Sequence, residues 1–281
     1  MLLTSGALPG GEAWSLEIKW DGCRAQLRYN GRSIALRSRT GRECSGDFPE
    51  LTEMAGVLGS RRATLDGELV CLCGDGRPDF AWLRRRLAGN GRSAHPVTLQ
   101  VFDILHLDGY STRALPYRDR RALLEELELD GAAWRTPKGL SVVDPSQFIS
   151  RVGEMGLEGA VAKRLDSLYL PGRRGRSWIK HKLRRHERLL VTGIRRTSER
   201  VAEAVFVARP GPDGRLVGAG SIELGLGRDL IERLEDRLRL LPPHRRGSIT
   251  WYPAEVSVIA SVHGLRDRPV RDAVLLEVLA S

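Results

Sequence analysis

Glu17-Ile18-Lys19-Trp20-Asp21-Gly22-Cys23-Arg24 is the stretch on which the reading of this chain turns. Over Ser15–Asp21 apolar and polar residues alternate, the period-two signature of a strand. Leu16, Ile18 and Trp20 then point one way and Glu17, Lys19 and Asp21 the other, so a carboxylate and an amine share a face. Asp21-Gly22 permits a tight turn that leaves Lys19 at the edge of a pocket. Composition sets that lysine apart, because the chain has forty arginines and only five lysines: Lys19, Lys138, Lys163, Lys180 and Lys182. Arginine cannot be deprotonated in a protein, whereas a desolvated lysine beside other cations can lose its proton and become a nucleophile. A compact ammonium also acts as a point charge against phosphate. Amine chemistry on a phosphate is therefore expected, with Lys19 as nucleophile and Arg24 and other basic residues lowering its pKa. Lys138 lies in a Pro-Gly context and reads as loop.

Working outward, CRAQLRY and RSIALRS flank Asn30-Gly31, a strong hairpin signal. ATLDGELVCL and HPVTLQVFDILHL read as further strands. Helices are expected at about 79–88, 118–129 and 145–155. The last has Asp144 as N-cap, Pro145 at its first position and Gln147 three residues after the cap. Beyond HKLRR the pattern changes to short strands, RLLVTGIRR, AEAVFVARP and RLVGAGSIEL. A helix follows at about 228–240 with Leu230, Ile231, Leu234 and Leu238 on one stripe, and WYPAEVSVIAS reads as a last strand. Several strands with one helix suggest a small β-barrel of the OB type. The fold class expected is α+β: a domain of antiparallel sheets with helices over 1–185, then the barrel domain over 186–281.

The bulk numbers narrow the function classes. With 281 residues, 41% hydrophobic and 28% charged, the chain reads as a globular protein of one large or two ordinary domains. It has no run apolar enough to span a bilayer, and its first fourteen residues lack a charged leader, so no membrane partner and a cytoplasmic, nucleoid-associated location are expected. Cys23, Cys44, Cys71 and Cys73 form no CxxC pair and read as idle thiols of a reducing cytosol. The net charge of +10 suits a polyanion, with nucleic acid ahead of membrane. Residues 1–185 supply +8 of it and 186–281 supply +2. Arg84-Arg85-Arg86, Arg173-Arg174 and Arg195-Arg196 are candidate phosphate tracks.

Six strings occur in a telling order. Lys19, Asp21, Gly22 and Arg24 match K-x-D-G-x-R; RSRTG contains Arg39; Asp66-Gly67-Glu68 is D-G-E; Phe102-Asp103 is an aromatic followed by Asp; Glu158-Gly159 through Lys163 is E-G-x-x-x-K; and WIKHK carries Lys180 and Lys182. In this the chain resembles the ATP-dependent DNA ligases of the covalent nucleotidyltransferase superfamily, over residues 17–182 by motif and over nearly the whole chain with the barrel-like tail. The resemblance implies a nucleotidyltransferase (adenylation) domain followed by an OB domain. It implies that Lys19 attacks the α-phosphorus of ATP, releases pyrophosphate and carries AMP. Phe102 would stack on adenine and Glu17 would help seat the nucleoside. Glu68 would bind a ribose hydroxyl or help bind metal, Glu158 would face the metal (Mg²⁺ or Mn²⁺), and Arg24, Arg39, Arg174, Lys180 and Lys182 would surround the phosphates. The partner implied is nicked double-stranded DNA, held through phosphates by a monomer.

Some features depart from, or compete with, that pattern. The family's terminal basic string, often R-x-D-K, is absent from HGLRDRPVRDAVLLEVLAS, where Arg266, Arg268 or Arg271 are the available substitutes. No module precedes Lys19 of the kind an NAD-using ligase carries, so a minimal two-domain enzyme is expected. An RNA ligase or GTP-using capping transferase shares K-x-D-G, and a non-catalytic nucleic-acid-binding OB protein with a decayed nucleotide pocket would match the missing terminal string; both are alternatives.

Overall fold

Strands dominate both halves of the chain, as the alternating patterns require. The computed structural model describes residues 1–74, 76–88, 95–141, 144–198, 201–263 and 269–279. It divides the chain into two compact units, Met1–Lys182 and Leu183–Ser281.

The first unit contains β1 (Leu2–Ser5), β2 (Trp14–Lys19), β3 (Cys23–Tyr29), β4 (Ile34–Ser38), β5 (Ala63–Cys71), β6 (Val97–Leu107), β7 (Tyr110–Ser111), β8 (Trp134–Arg135), β9 (Gly159–Arg164) and β10 (Arg174–Lys182). They form a four-stranded sheet of order β1-β10-β9-β2 and a six-stranded sheet of order β4-β3-β5-β6-β7, with β8 beside β6. The helices are α1 (Met54–Leu58), α2 (Phe80–Leu87), α3 (Tyr117–Glu125) and α4 (Pro145–Glu154). Caps explain two helix starts. The Asp79 side chain accepts from the Ala81 and Trp82 N–H groups, and Asp144 accepts from Ser146 N–H with Pro145 at the first position. One apolar core joins Leu27, Leu36, Leu65 and Leu99 of the larger sheet to Phe48, Met54 and Leu83.

The hairpin after β3 differs from the two-residue loop that Asn-Gly suggests. Tyr29 pairs with Ile34, which makes the loop Asn30–Ser33. The Asn30 side chain accepts the N–H groups of Arg32 and Ser33 at 2.9 Å each, so an Asx turn closes the loop.

The second unit holds β11 (Arg185–Ser198), β12 (Val201–Pro210), β13 (Leu216–Ile222), α5 (Arg228–Leu238), β14 (His244–Arg246), β15 (Ile249–Trp251), β16 (Ser257–His263) and β17 (Arg271–Val278). The long β11 pairs with β12 along one edge and with β16 and then β15 along the other. The Val270 and Leu275 N–H groups donate to Ala219 and Leu224 at 2.7 and 2.9 Å, which ties β17 back toward β13. Ile231, Leu234 and Leu238 of α5 close the core formed by Val191, Val205, Ile222, Val258 and Leu275. WYPAEVSVIAS is not one strand. Trp251 ends β15, the chain turns where Glu255 N–H donates to Pro253, and β16 begins at Ser257. Proline has no N–H for a ladder and interrupts the run. The short strands β8 and β14, and β17 in the tail, were not expected from pattern. Among the described residues no helix is long and apolar enough to cross a membrane.

Candidate active site

β9 lies antiparallel between β2 and β10, and its register builds the site row by row. Lys19 of β2 and Lys182 of β10 both pair with Gly159; Glu17 and Lys180 both pair with Val161; Ser15 and Trp178 both pair with Lys163. Directly paired residues share a face, so Lys19, Lys180 and Lys182 stand with Glu17, Lys163 and Trp178 on one side of the sheet. Gly159 permits the close approach: a Cβ there would lie 2.1 Å from the His181 carbonyl oxygen. The residue before it, Glu158, bridges the two outer strands. Its Oε2 lies 2.5 Å from Lys19 Nζ and its Oε1 lies 3.1 Å from Lys182 Nζ.

The turn after β2 brings in the other sheet. A Cβ on Gly22 would lie 2.1 Å from the Leu69 carbonyl oxygen, so only glycine lets the turn pass this close to β5. Glu68 of β5, paired with Arg24 of β3, is held near the lysines. Burial pushes the Glu68 carboxyl up to about 8, with Lys19 and Arg24 opposing that rise and Glu158 adding to it. Lys180 is lowered by burial and by the neighbouring charges of Lys182, Lys19 and Arg174. Among the described residues no group of three or more His, Cys, Asp or Glu could hold a metal ion. The two carboxylates Glu68 and Glu158 fit an ion whose other ligands come from phosphate oxygens and water.

A buried polar layer lies beneath the lysine row. Lys163 Nζ is 2.7 Å from Glu17 Oε2, and the Tyr117 hydroxyl donates to Glu17 Oε1. Burial lowers the Lys163 pKa, against the pull of Glu17. Trp178, 1% exposed, collects the edges of Phe102, Tyr117 and Tyr169 at centroid distances of 6.1, 6.2 and 5.9 Å. Lys163 Nζ lies 4.6 Å from the centre of its ring and 4.3 Å from that of Phe102. Phe102 is the extra residue of a bulge, since Asp66 pairs with Asp103 and Gly67 with Val101. Asp103 is locked to Arg120 by bonds of 2.8 and 2.9 Å with both side chains fully buried.

The remaining candidates are placed differently from one another. Arg24 donates to both oxygens of Asp66 at 3.0 and 2.7 Å, to the Met1 carbonyl at 2.6 Å and to the Tyr169 hydroxyl at 3.1 Å, so most of its donors are spent on protein acceptors. Arg39 is exposed in the turn after β4, with its backbone N–H donating to the Arg24 carbonyl at 3.2 Å. Arg174, also exposed, begins β10 and donates to the Leu3 carbonyl. Arg266 and Arg268 lie outside the described residues, whereas Arg271 begins β17.

Comparison with known proteins decides the family. Residues 7–182 match the ATP dependent DNA ligase domain. The chain belongs to the ATP-dependent DNA ligase family. It is 36% identical over 246 residues to the multifunctional non-homologous end joining protein LigD of Mycolicibacterium smegmatis, covering 86% of this chain and 31% of that protein. It is 32% identical over 239 residues to a DNA ligase of Thermococcus onnurineus, covering 79% of this chain and 42% of that one. Among solved structures, the ligase domain of M. tuberculosis LigD is 28% identical, with a TM-score of 0.62 over 99% of this chain and 93% of that one. A mycobacterial DNA ligase D complexed with ATP and MES is 30% identical, with a TM-score of 0.63 and the same coverage. The chain thus spans about a third of the length of the LigD relatives it matches.

Within this chain, sequence reasoning singled out Lys19, Glu17, Glu68, Glu158, Lys180 and Lys182, and the structure gathers them along β2, β5 and β10 and just before β9. It did not single out the partners beneath them. Tyr117 and Arg120 carried no motif signal, whereas Asp66 opens the D-G-E string. Trp178 and Lys163 did carry one, because their even spacing from Lys182 and Gly159 puts them on the lysine face.

Proposed function

We propose that this chain seals nicks in duplex DNA through a lysyl-AMP intermediate. The observation that carries the reading is the row formed by Lys19, Glu158 and Lys182 across Gly159, with Lys180 one row behind. Glu158, in contact with Lys19 Nζ, orients the amine, which gives its proton to water before it reacts. The neutral amine then attacks the α-phosphorus of ATP; a nitrogen–phosphorus bond forms and the bond to pyrophosphate breaks. Lys180 and Lys182, with Arg39 and Arg174 toward solvent, offset the charge that develops on the phosphate oxygens. AMP then passes to the 5′-phosphate at the nick, and the adjacent 3′-hydroxyl displaces it to join the strand. Glu68 and Glu158 would hold Mg²⁺ or Mn²⁺, which supplies charge neutralisation at the phosphates.

Phe102 and the Glu17–Lys163 pair are the proposed seat of the nucleoside. Arg24 acts on this reading through Asp66 and Tyr169 as a positioning residue. The second unit is read as an OB-type barrel, supported by the ties between β17 and the β13 side and by the single helix α5. Because the LigD relatives are described as end-joining proteins, repair of broken DNA is the setting proposed.

The test is incubation with α-labelled ATP and divalent metal, followed by acid precipitation. Label should stay on the wild-type chain and vanish with Lys19→Ala, and nick sealing should vanish with it. Labelling that survives Lys19→Ala refutes the nucleophile, and stronger labelling by GTP than by ATP refutes the substrate.

A further inference from the structure

The second unit carries a surface that the adenylate chemistry does not use. Phe206 of β12 pairs with Gly193 of β11, Gly193 pairs with Trp251 of β15, and Trp251 pairs with His244 of β14. These residues therefore form one row across four strands on one face. Val205 and Val207, the neighbours of Phe206, are 0% and 2% exposed in the core, so Phe206 points to the opposite, outer side. Gly193 leaves the middle of the row bare: a Cβ there would lie 2.9 Å from Trp251 Cε3. The two rings consequently meet over it, with centroids 5.1 Å apart and planes tilted by 41°. Both are half-buried and neither belongs to the core cluster.

Cations line the same face. In the next row Arg195 pairs with Ile249, and Ile249 pairs with Arg246. The Arg195 guanidinium sits 5.9 Å from the Phe206 ring centre, held there by Glu203 at 3.2 Å and Glu223 at 3.9 Å. Arg195 is thus committed to positioning, and the exposed Arg246, with His244 in the Trp251 row, faces outward on this side, whereas Arg245 pairs with Thr250 in the row of the core residue Ile194. The hairpin HRRGSITW contains two arginines, a histidine and no acid.

We propose that Phe206 and Trp251 form a stacking platform for an unpaired nucleobase, with Arg246 on a flanking phosphate, so that this face captures single-stranded nucleic acid. A π-face is what every base offers, and aromatic rings beside a cationic track bind single strands with little regard to sequence. The positive hairpin selects a polyanion rather than an apolar protein segment. A sealed or nicked duplex keeps its bases paired, so the ligand class here is an overhang, a gap or a free strand. The inference is independent of the lysyl-AMP reading, since its readout needs no ATP.

The experiment measures binding of the full chain, without nucleotide, to fluorescent oligothymidylate, oligouridylate and an abasic oligomer of equal length. Wild type should bind the base-bearing strands about tenfold more tightly than the abasic one. Phe206→Leu and Trp251→Leu should each reduce that ratio to near unity while self-adenylylation stays unchanged. Tighter binding of oligothymidylate than of oligouridylate marks DNA as the source, and the reverse marks RNA; either supports the platform. Equal wild-type affinity for abasic and base-bearing strands overturns it, as does a ratio that Phe206→Leu leaves intact. Should the tryptophan variant fail to fold, photo-cross-linking of 5-iododeoxyuridine strands to the unmutated chain decides the matter. Attachment at Phe206 or Trp251 is expected, and attachment confined to Met1–Lys182 overturns the proposal.

Discussion

Lys19 owes its setting to neighbours distant in sequence. Glu158 reaches it from 139 residues away, and the buried layer below is closed by Asp103 and Arg120. That lower pair is structural in consequence: Arg120 also donates to the Leu115 and Ser167 carbonyls at 2.7 and 3.0 Å. Arg120→Met would leave a fully buried carboxylate without its partner, and urea unfolding should show a loss of about 3–5 kcal/mol. Glu68 yields a pH signature. Its carboxyl titrates at about 8 when folded and near 4.5 when unfolded, so folding takes up a proton between those values. Stability should therefore fall as pH rises through that window, by at most about 1.4 kcal/mol per unit. Urea unfolding without divalent metal, from pH 5 to pH 8, should show this slope, and Glu68→Gln should flatten it.

At the scale of the element, β9 is the strand that makes the site, because both lysine-bearing strands take their register from it. Gly159→Ala must push the His181 backbone away and move β10 relative to β2. We expect a stability loss of about 2–3 kcal/mol. Self-adenylylation should fall about 100-fold, since a misplacement near 1 Å has that effect on rate. Stopped-flow labelling beside a denaturant titration separates the two effects; a labelling rate that tracks only the folded fraction would show that the register is not what matters. The helices with strong local signals were legible: Asp144 caps α4 as its sequence suggests and α5 follows its leucine stripe, while Asp79, read as the first residue of a helix, is the cap of α2. The short strands β8 and β14 were not, because two or three residues carry no measurable periodicity. WYPAEVSVIAS misled for a related reason, since its apolar content continues across a proline that the backbone cannot carry through a ladder.

For the whole molecule, charge gives the most direct prediction. A net charge of +10, with most of it before residue 186, suits contact with phosphates rather than bases. Affinity for nicked duplex should be indifferent to sequence and should fall about 10³-fold between 50 and 200 mM salt if six phosphates are engaged. Titrations of two unrelated nicked duplexes by fluorescence polarisation would check both points. The amino-acid order alone determined that the first part is sheet-rich with capped helices and that Lys19 ends a strand beside a turn, and it picked out the rare lysines as candidates for the chemistry. Those properties are local, set by alternation, turn dipeptides and the difference between an amine and a guanidinium. Only the tertiary structure decided that Arg24 turns inward to Asp66, that Lys163 serves Glu17, and that Glu158 spans Lys19 and Lys182. These pairings depend on strand order and register, where groups up to 146 residues apart meet, and burial then fixes which partner each charge must take.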